Sequence, residues 1–133
     1  MVQHVRKRFG ATPRENAPVP RIDAIKIAVA RDANIPVFRM TDRSRKWRFS
    51  HPRQVAIYLA CELTYHSYPA IARMFGGLDH TTALHAHRAV RGRMMASSDY
   101  EAHIMRLERE LLEQASERLD VGASQTIHSE IAA

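Results

Sequence analysis

The strongest periodic signal in the chain lies between Tyr68 and Met94. Ile71, Met74 and Phe75 recur at helical spacing, and the pattern then breaks at Gly76-Gly77. It resumes with Ala83, Ala86, Val90 and Met94, whose spacing puts them on one face of a second helix. The complementary positions Thr81, Leu84, His85 and Arg88 face outward. Ser67 is placed to cap the first helix, and Pro69 suits its first turn. The glycines supply the left-handed conformation that ends a helix, and Asp79 can restart the chain as an N-cap. Two helices joined by a tight glycine turn predict a helix-turn-helix, whose second helix enters the DNA major groove.

The flanking pattern is helical as well. Ile22, Ile25 and Val29 give a stripe over Arg21 to Asn34, which stops ahead of Ile35-Pro36. Val37, Phe38 and Met40 predict a short helical turn that seals the core. His51 to Thr64 is expected to form the central helix, with Ser50 as its cap and Pro52 in its first turn. Its run from Val55 to Cys61 is apolar on every side, so burial from several directions is expected, with Arg53 and Gln54 at an exposed start. A last helix, capped by Asp99, carries Tyr100, Ile104, Leu107, Leu111 and Leu112 and ends at about Leu119. The expected fold is all-α. It is a small bundle of about five or six helices containing a helix-turn-helix, over residues 21–119, between a disordered basic arm (1–20) and a disordered tail (120–133).

Charge sharpens this picture. Residues 1–54 hold thirteen Lys/Arg against four Asp/Glu, whereas residues 99–133 hold three against eight. A basic front suits a polyanion. Within it, TDRSRKWRFS at 41–50 interleaves Arg43, Arg45, Lys46 and Arg48 with Trp47 and Phe49, a composition suited to nucleic acid. The alternative is that an aromatic plugs the core edge while the arginines are solvated. Other chemistry finds little support. His80, His85 and His87 do not share a helix face, and with one cysteine, Cys61, there is neither an intrachain disulfide nor a zinc motif. No glycine-rich phosphate-binding loop of the G-x-x-x-x-G-K-S/T type is present, so neither ATPase activity nor any other enzyme activity is expected, and no cofactor or metal. No apolar run reaches membrane-spanning length, and no signal peptide is seen. A cytoplasmic, nucleoid-associated protein is the expectation.

The residues FGGLDHTT followed by LHA resemble the FGGRDHTTVLHA motif of the bacterial replication initiator DnaA family. The resemblance runs upstream through HPRQVAIYLACELTYHSYPAIARMF and covers residues 21 to 112, the size of that family's C-terminal DNA-binding domain, domain IV. It implies a Trp-repressor/DnaA-like fold, double-stranded DNA as partner, and a DnaA-box-like target. It implies that Asp79, His80, Thr81 and Thr82 meet bases and phosphates in the major groove, with Leu84 against a thymine methyl. Tyr68 and Pro69 would lie along the backbone or bases. Arg45, in a loop that also carries Lys46 and Arg48, would read the minor groove, while Arg53, Gln54 and Arg88 hold phosphates and His85 faces the DNA. Four positions depart from the family pattern: Leu78 replaces an arginine, Ala83 a branched aliphatic, Ala89 a basic residue, and Cys61 a common lysine. Two readings follow. One is a regulator of transcription or replication initiation that acts by binding DNA. The other is an adaptor that binds an initiator or another protein through its acidic C-terminal helix, which could also pair two chains as a homodimer.

Overall fold

The computed structural model describes the backbone of residues 18–132 and the side chains of residues 18–119; the expected basic arm lies almost wholly outside them. Among the described residues the chain forms five α-helices and no strands. They are α1 (Ile22–Ala33), α2 (Trp47–Leu63), α3 (Tyr68–Met74), α4 (His80–Ala96) and α5 (Ser98–Ala132), with a 3-10 turn at Val37–Met40 between α1 and α2.

The all-apolar stretch of α2 ends up where its composition requires. Every residue from Val55 to Cys61 is buried, covered by α1, α3, α4 and α5. The helix begins at Trp47, four residues ahead of the expected start, so Ser50 lies inside it and caps nothing. The first turn closes through Lys46, whose carbonyl accepts from the amides of Phe49 at 2.9 Å and Ser50 at 2.8 Å. Pro52 therefore sits within the helix, where it has no N–H to give to the Arg48 carbonyl. Of the residues expected to seal the core at the 3-10 turn, only Met40 is buried; Val37 and Phe38 are exposed.

The helix-turn-helix forms as its sequence predicts. Ser67 Oγ accepts from the Ala70 amide at 3.3 Å. At the other end of α3, Gly76 and Gly77 take φ of 95° and 72°. The Leu78 amide then bonds back to the Ala72 carbonyl at 2.9 Å, closing the end of the helix. Lys26 of α1 caps the same terminus, its ammonium donating to the Met74 carbonyl at 2.5 Å while standing 5.0 Å from the centre of the buried Phe75 ring. Gly76 is further constrained by space, because a Cβ there would lie 2.3 Å from the Thr41 carbonyl oxygen.

On α5, Ile104, Leu107, Leu111 and Ala115 are buried, with Tyr100 and Leu112 at the margin of the core. Its first turn is capped by Ser97, whose Oγ accepts from the Tyr100 amide at 3.2 Å, and not by Asp99. The helical backbone continues through Ala132, past the expected stop at Leu119; no proline interrupts residues 99–132. Polar ties hold α5 at His103 and Arg118. His103 Nε2 pairs with Asp32 at 2.7 Å, and Arg118 donates to the Val19 carbonyl at 3.0 Å.

The two glycines give a paired test. Gly77→Ala meets only the left-handed backbone and should cost about 1–2 kcal/mol. Gly76→Ala adds the clash with Thr41 and should cost about 3 kcal/mol or more. Chemical denaturation of both variants measures the difference; equal losses would show that the loop at Thr41 yields freely.

Candidate nucleic-acid interface

The loop between the 3-10 turn and α2 carries Arg43, Arg45 and Lys46, all exposed. Mutual repulsion would leave such a loop without a fixed shape, and Arg53 supplies what holds it. This residue is not at an exposed helix start, as the sequence suggested. It is 9% exposed, and its guanidinium is spent within the protein. Nε and Nη2 donate to the Arg39 carbonyl at 3.2 Å, Nη1 to the Ser44 carbonyl at 3.1 Å, and Nη2 also to Asp42 Oδ1 at 2.7 Å. The Asp42 carboxylate also accepts from Arg39 Nη1 at 2.8 Å and from the Ser44 amide at 3.1 Å. The Arg39 hydrogen bond, then the Ser44 amide and the two guanidinium charges, hold its carboxyl below the ordinary 3.8. Arg53 is thus placed to shape the loop that presents Arg45. The signal for this was Asp42, the one acid among the cations of residues 41–54.

Helix α4 starts on a second fixed carboxylate. Asp79 Oδ1 accepts from both the amide and the hydroxyl of Thr81, each at 2.8 Å, and these two bonds, the amide first, hold its carboxyl below the usual value. The Thr81 hydroxyl hydrogen is committed to Asp79. The residue itself is exposed, and its hydroxyl oxygen retains lone pairs that can accept. His80, Thr82, His85 and Arg88 are exposed with it, and Leu84 is half-buried. Ala83, Ala86 and Val90 form the buried face, as their spacing predicts.

His87 was not singled out for this role, yet it is almost fully buried. Its Nδ1 pairs with the Tyr68 hydroxyl at 2.8 Å and its Nε2 with Glu62 at 2.8 Å, while the Tyr58 ring stacks on it at 5.4 Å. Tyr68, expected along the DNA, is therefore turned inward, because a buried imidazole needs its polar edges satisfied. Pro69 beside it stays exposed. The missed signal was the spacing 83, 87, 90, 94, which puts His87 on the core face of α4.

Loop, α2 and α4 enclose an open groove of about 420 Å³. It brings together Arg45, Gln54, Thr82 and His85, with the departures Leu78 and Ala89 supplying apolar wall between them. Gln54 is set by Arg93, whose Nη1 donates to its Oε1 at 2.9 Å; sequence reasoning overlooked Arg93. Lys46 and Arg48 are exposed beside the loop, at the start of α2. Cys61 and Ala83, the other two departures, are buried away from this surface. Among the described residues no His, Cys, Asp or Glu side chains converge as a metal site, and no helix is long and apolar enough to cross a membrane.

A helix-turn-helix beside a loop of exposed cations is the architecture of a DNA-binding protein. The chain belongs to the family described as bacterial DnaA protein helix-turn-helix, whose family model matches residues 22–90. It is 40% identical over 104 residues to the chromosomal replication initiator protein DnaA of Sphingopyxis alaskensis, covering 78% of this chain and 23% of that one. It is 46% identical over 65 residues to the DnaA protein of Magnetococcus marinus, covering 49% of this chain and 14% of the other. A crystal structure of a DNA replication initiation factor superposes with a TM-score of 0.65 at 28% identity, over 71% of this chain and 29% of that chain. The chain thus spans less than a quarter of the length of the two DnaA relatives, and the family model that it matches is that of their helix-turn-helix.

The Asp42 clamp has a pH signature. Its carboxyl is depressed in the folded protein, so its contribution is complete above 3.8 and is lost as pH falls through the lower folded value. The Ser44 amide should stay protected from exchange at neutral pH and lose protection only in acid. Asp42→Asn should remove that acid step, which amide exchange followed by NMR reads directly.

Proposed function

We propose that this protein binds double-stranded DNA in a sequence-specific manner at a DnaA-box-like site, and regulates transcription or replication initiation by doing so. The observation that carries this reading is the shared groove, whose lining includes both the minor-groove candidate Arg45 and the major-groove candidate Thr82. In this reading Thr81 and Thr82 read base edges, with His80 beside them and Asp79 fixing Thr81. Leu84 meets a thymine methyl. Arg45 enters the minor groove, while Lys46, Arg48, Gln54, His85 and Arg88 hold phosphates, with Pro69 close to the backbone. Arg53 and Tyr68 serve from beneath, the first by shaping the loop and the second by holding His87.

A second reading has support from α5, where Met105 and Leu119 are exposed on an acidic helix. There the helix binds a replication initiator or another protein, or pairs two chains. Sedimentation of the full chain, alone and with an initiator, addresses it; DNA binding unaffected by charge changes on α5 would favour the first reading.

Selection of duplexes from a random library gives the site for the decisive measurements. Thr81→Ala should reduce discrimination at one or two base pairs by about 1–3 kcal/mol and leave non-specific binding nearly intact. Arg45→Ala should weaken binding to every duplex and erase preference for a narrow A·T-rich minor groove. Leu78→Arg should strengthen binding and steepen the log–log salt slope by about one phosphate contact. An unchanged specific-to-scrambled ratio in Thr81→Ala would mean that α4 does not read bases.

A further inference from the structure

Trp47, the chain's single tryptophan, stands at the first turn of α2 and is 59% exposed. Its neighbour Phe49 packs on the core, whereas the indole stays outside and is held there by polar groups. Its ring stacks on His51, with centroids 4.7 Å apart and planes 14° from parallel. The Arg93 guanidinium lies 4.8 Å from the ring centre. Both holders are themselves fixed, His51 by the Tyr100 hydroxyl at 2.9 Å and Arg93 by Gln54 at 2.9 Å. The result is an ordered aromatic surface open to solvent. A side chain already fixed in this way loses little freedom on binding.

Its surroundings select the partner. Lys46 and Arg48 flank it and are exposed, and Arg45 lies two residues earlier in the loop. No side chain caps the start of α2, so the helix presents backbone N–H groups beside the indole, where negative charge is favoured. Through Arg93 and Gln54 the ring is tied to the groove that also holds Arg45 and Thr82. We propose that Trp47 is a duplex-DNA contact, its indole lying against deoxyribose carbons of the backbone next to the Arg45 loop. This rests on the DNA-binding reading above. The apolar ring supplies burial, and the adjacent cations hold the phosphates on either side.

Because the chain has one tryptophan, fluorescence excited at its absorption edge reports on this residue alone. The full chain is titrated with the selected duplex while anisotropy of a labelled end follows binding independently. Acrylamide quenching of Trp47 should fall at least about twofold on saturation, with the same midpoint as the anisotropy. Trp47→Ala should weaken binding about tenfold, as loss of roughly 60 Å² of apolar contact implies, while Trp47→Phe retains most of the affinity. Circular dichroism of both variants checks that the fold is kept. Binding by anisotropy with unchanged quenching, and with Trp47→Ala as tight as wild type, would overturn this contact and leave the DNA-binding reading standing. Absence of any anisotropy change would instead overturn that reading and the contact with it. Equal protection by a single-stranded oligonucleotide of the same length would overturn the placement on a duplex.

Discussion

Burial of α2 on every side is the constraint from which the rest of the molecule follows. A helix that is apolar all round cannot lie on a surface, so other elements must enclose it. Each fully covered Leu or Ile contributes about 1.5–3 kcal/mol relative to exposure, and α2 concentrates such residues between Val55 and Leu63. Once α1, α3, α4 and α5 have closed around it, α2 has only its ends to offer to a partner. Its N-terminal turn, the loop that precedes it and the outer face of α4 are what remain to form a binding surface.

That surface gathers like charges, which carries an electrostatic cost in the unbound protein. Two carboxylates offset part of it in different ways. Asp42 is drawn into a network with Arg39 and Arg53 and gives the basic loop a defined shape. Asp79 stays exposed and spends its oxygen on Thr81, fixing the first turn of α4. Neither neutralises the groove. Arg45, Lys46, Arg48 and Arg88 remain open to solvent, so the protein keeps its attraction for a polyanion while holding the shape that receives it.

Much of this was legible in the sequence because it is encoded locally. The spacing of Ile71, Met74 and Phe75, the glycine pair, and the series Ala83, Ala86, Val90 depend on neighbours a few residues apart. So did the outward set Thr81, His85 and Arg88. What escaped was encoded between distant positions. Glu62, Tyr68 and His87 meet only after α2, α3 and α4 have packed, and none of them announces its partner in the sequence. Arg53 reads as a surface cation until Asp42 and two loop carbonyls are found around it. The start of α2 was misplaced because proline is most familiar in a first turn, and here it sits further along.

The buried face of α4 is made mostly of small residues, and contacts between smooth surfaces do little to resist rotation of a helix about its own axis. His87 is different, since both its ring nitrogens are engaged in directional bonds to two other helices. It acts as an index pin: with it in place, rolling α4 about its axis strains both bonds at once. Such a pin separates the residues that set the angle of the helix from those on its outer face. The outer positions can then be substituted without the helix losing its angular setting.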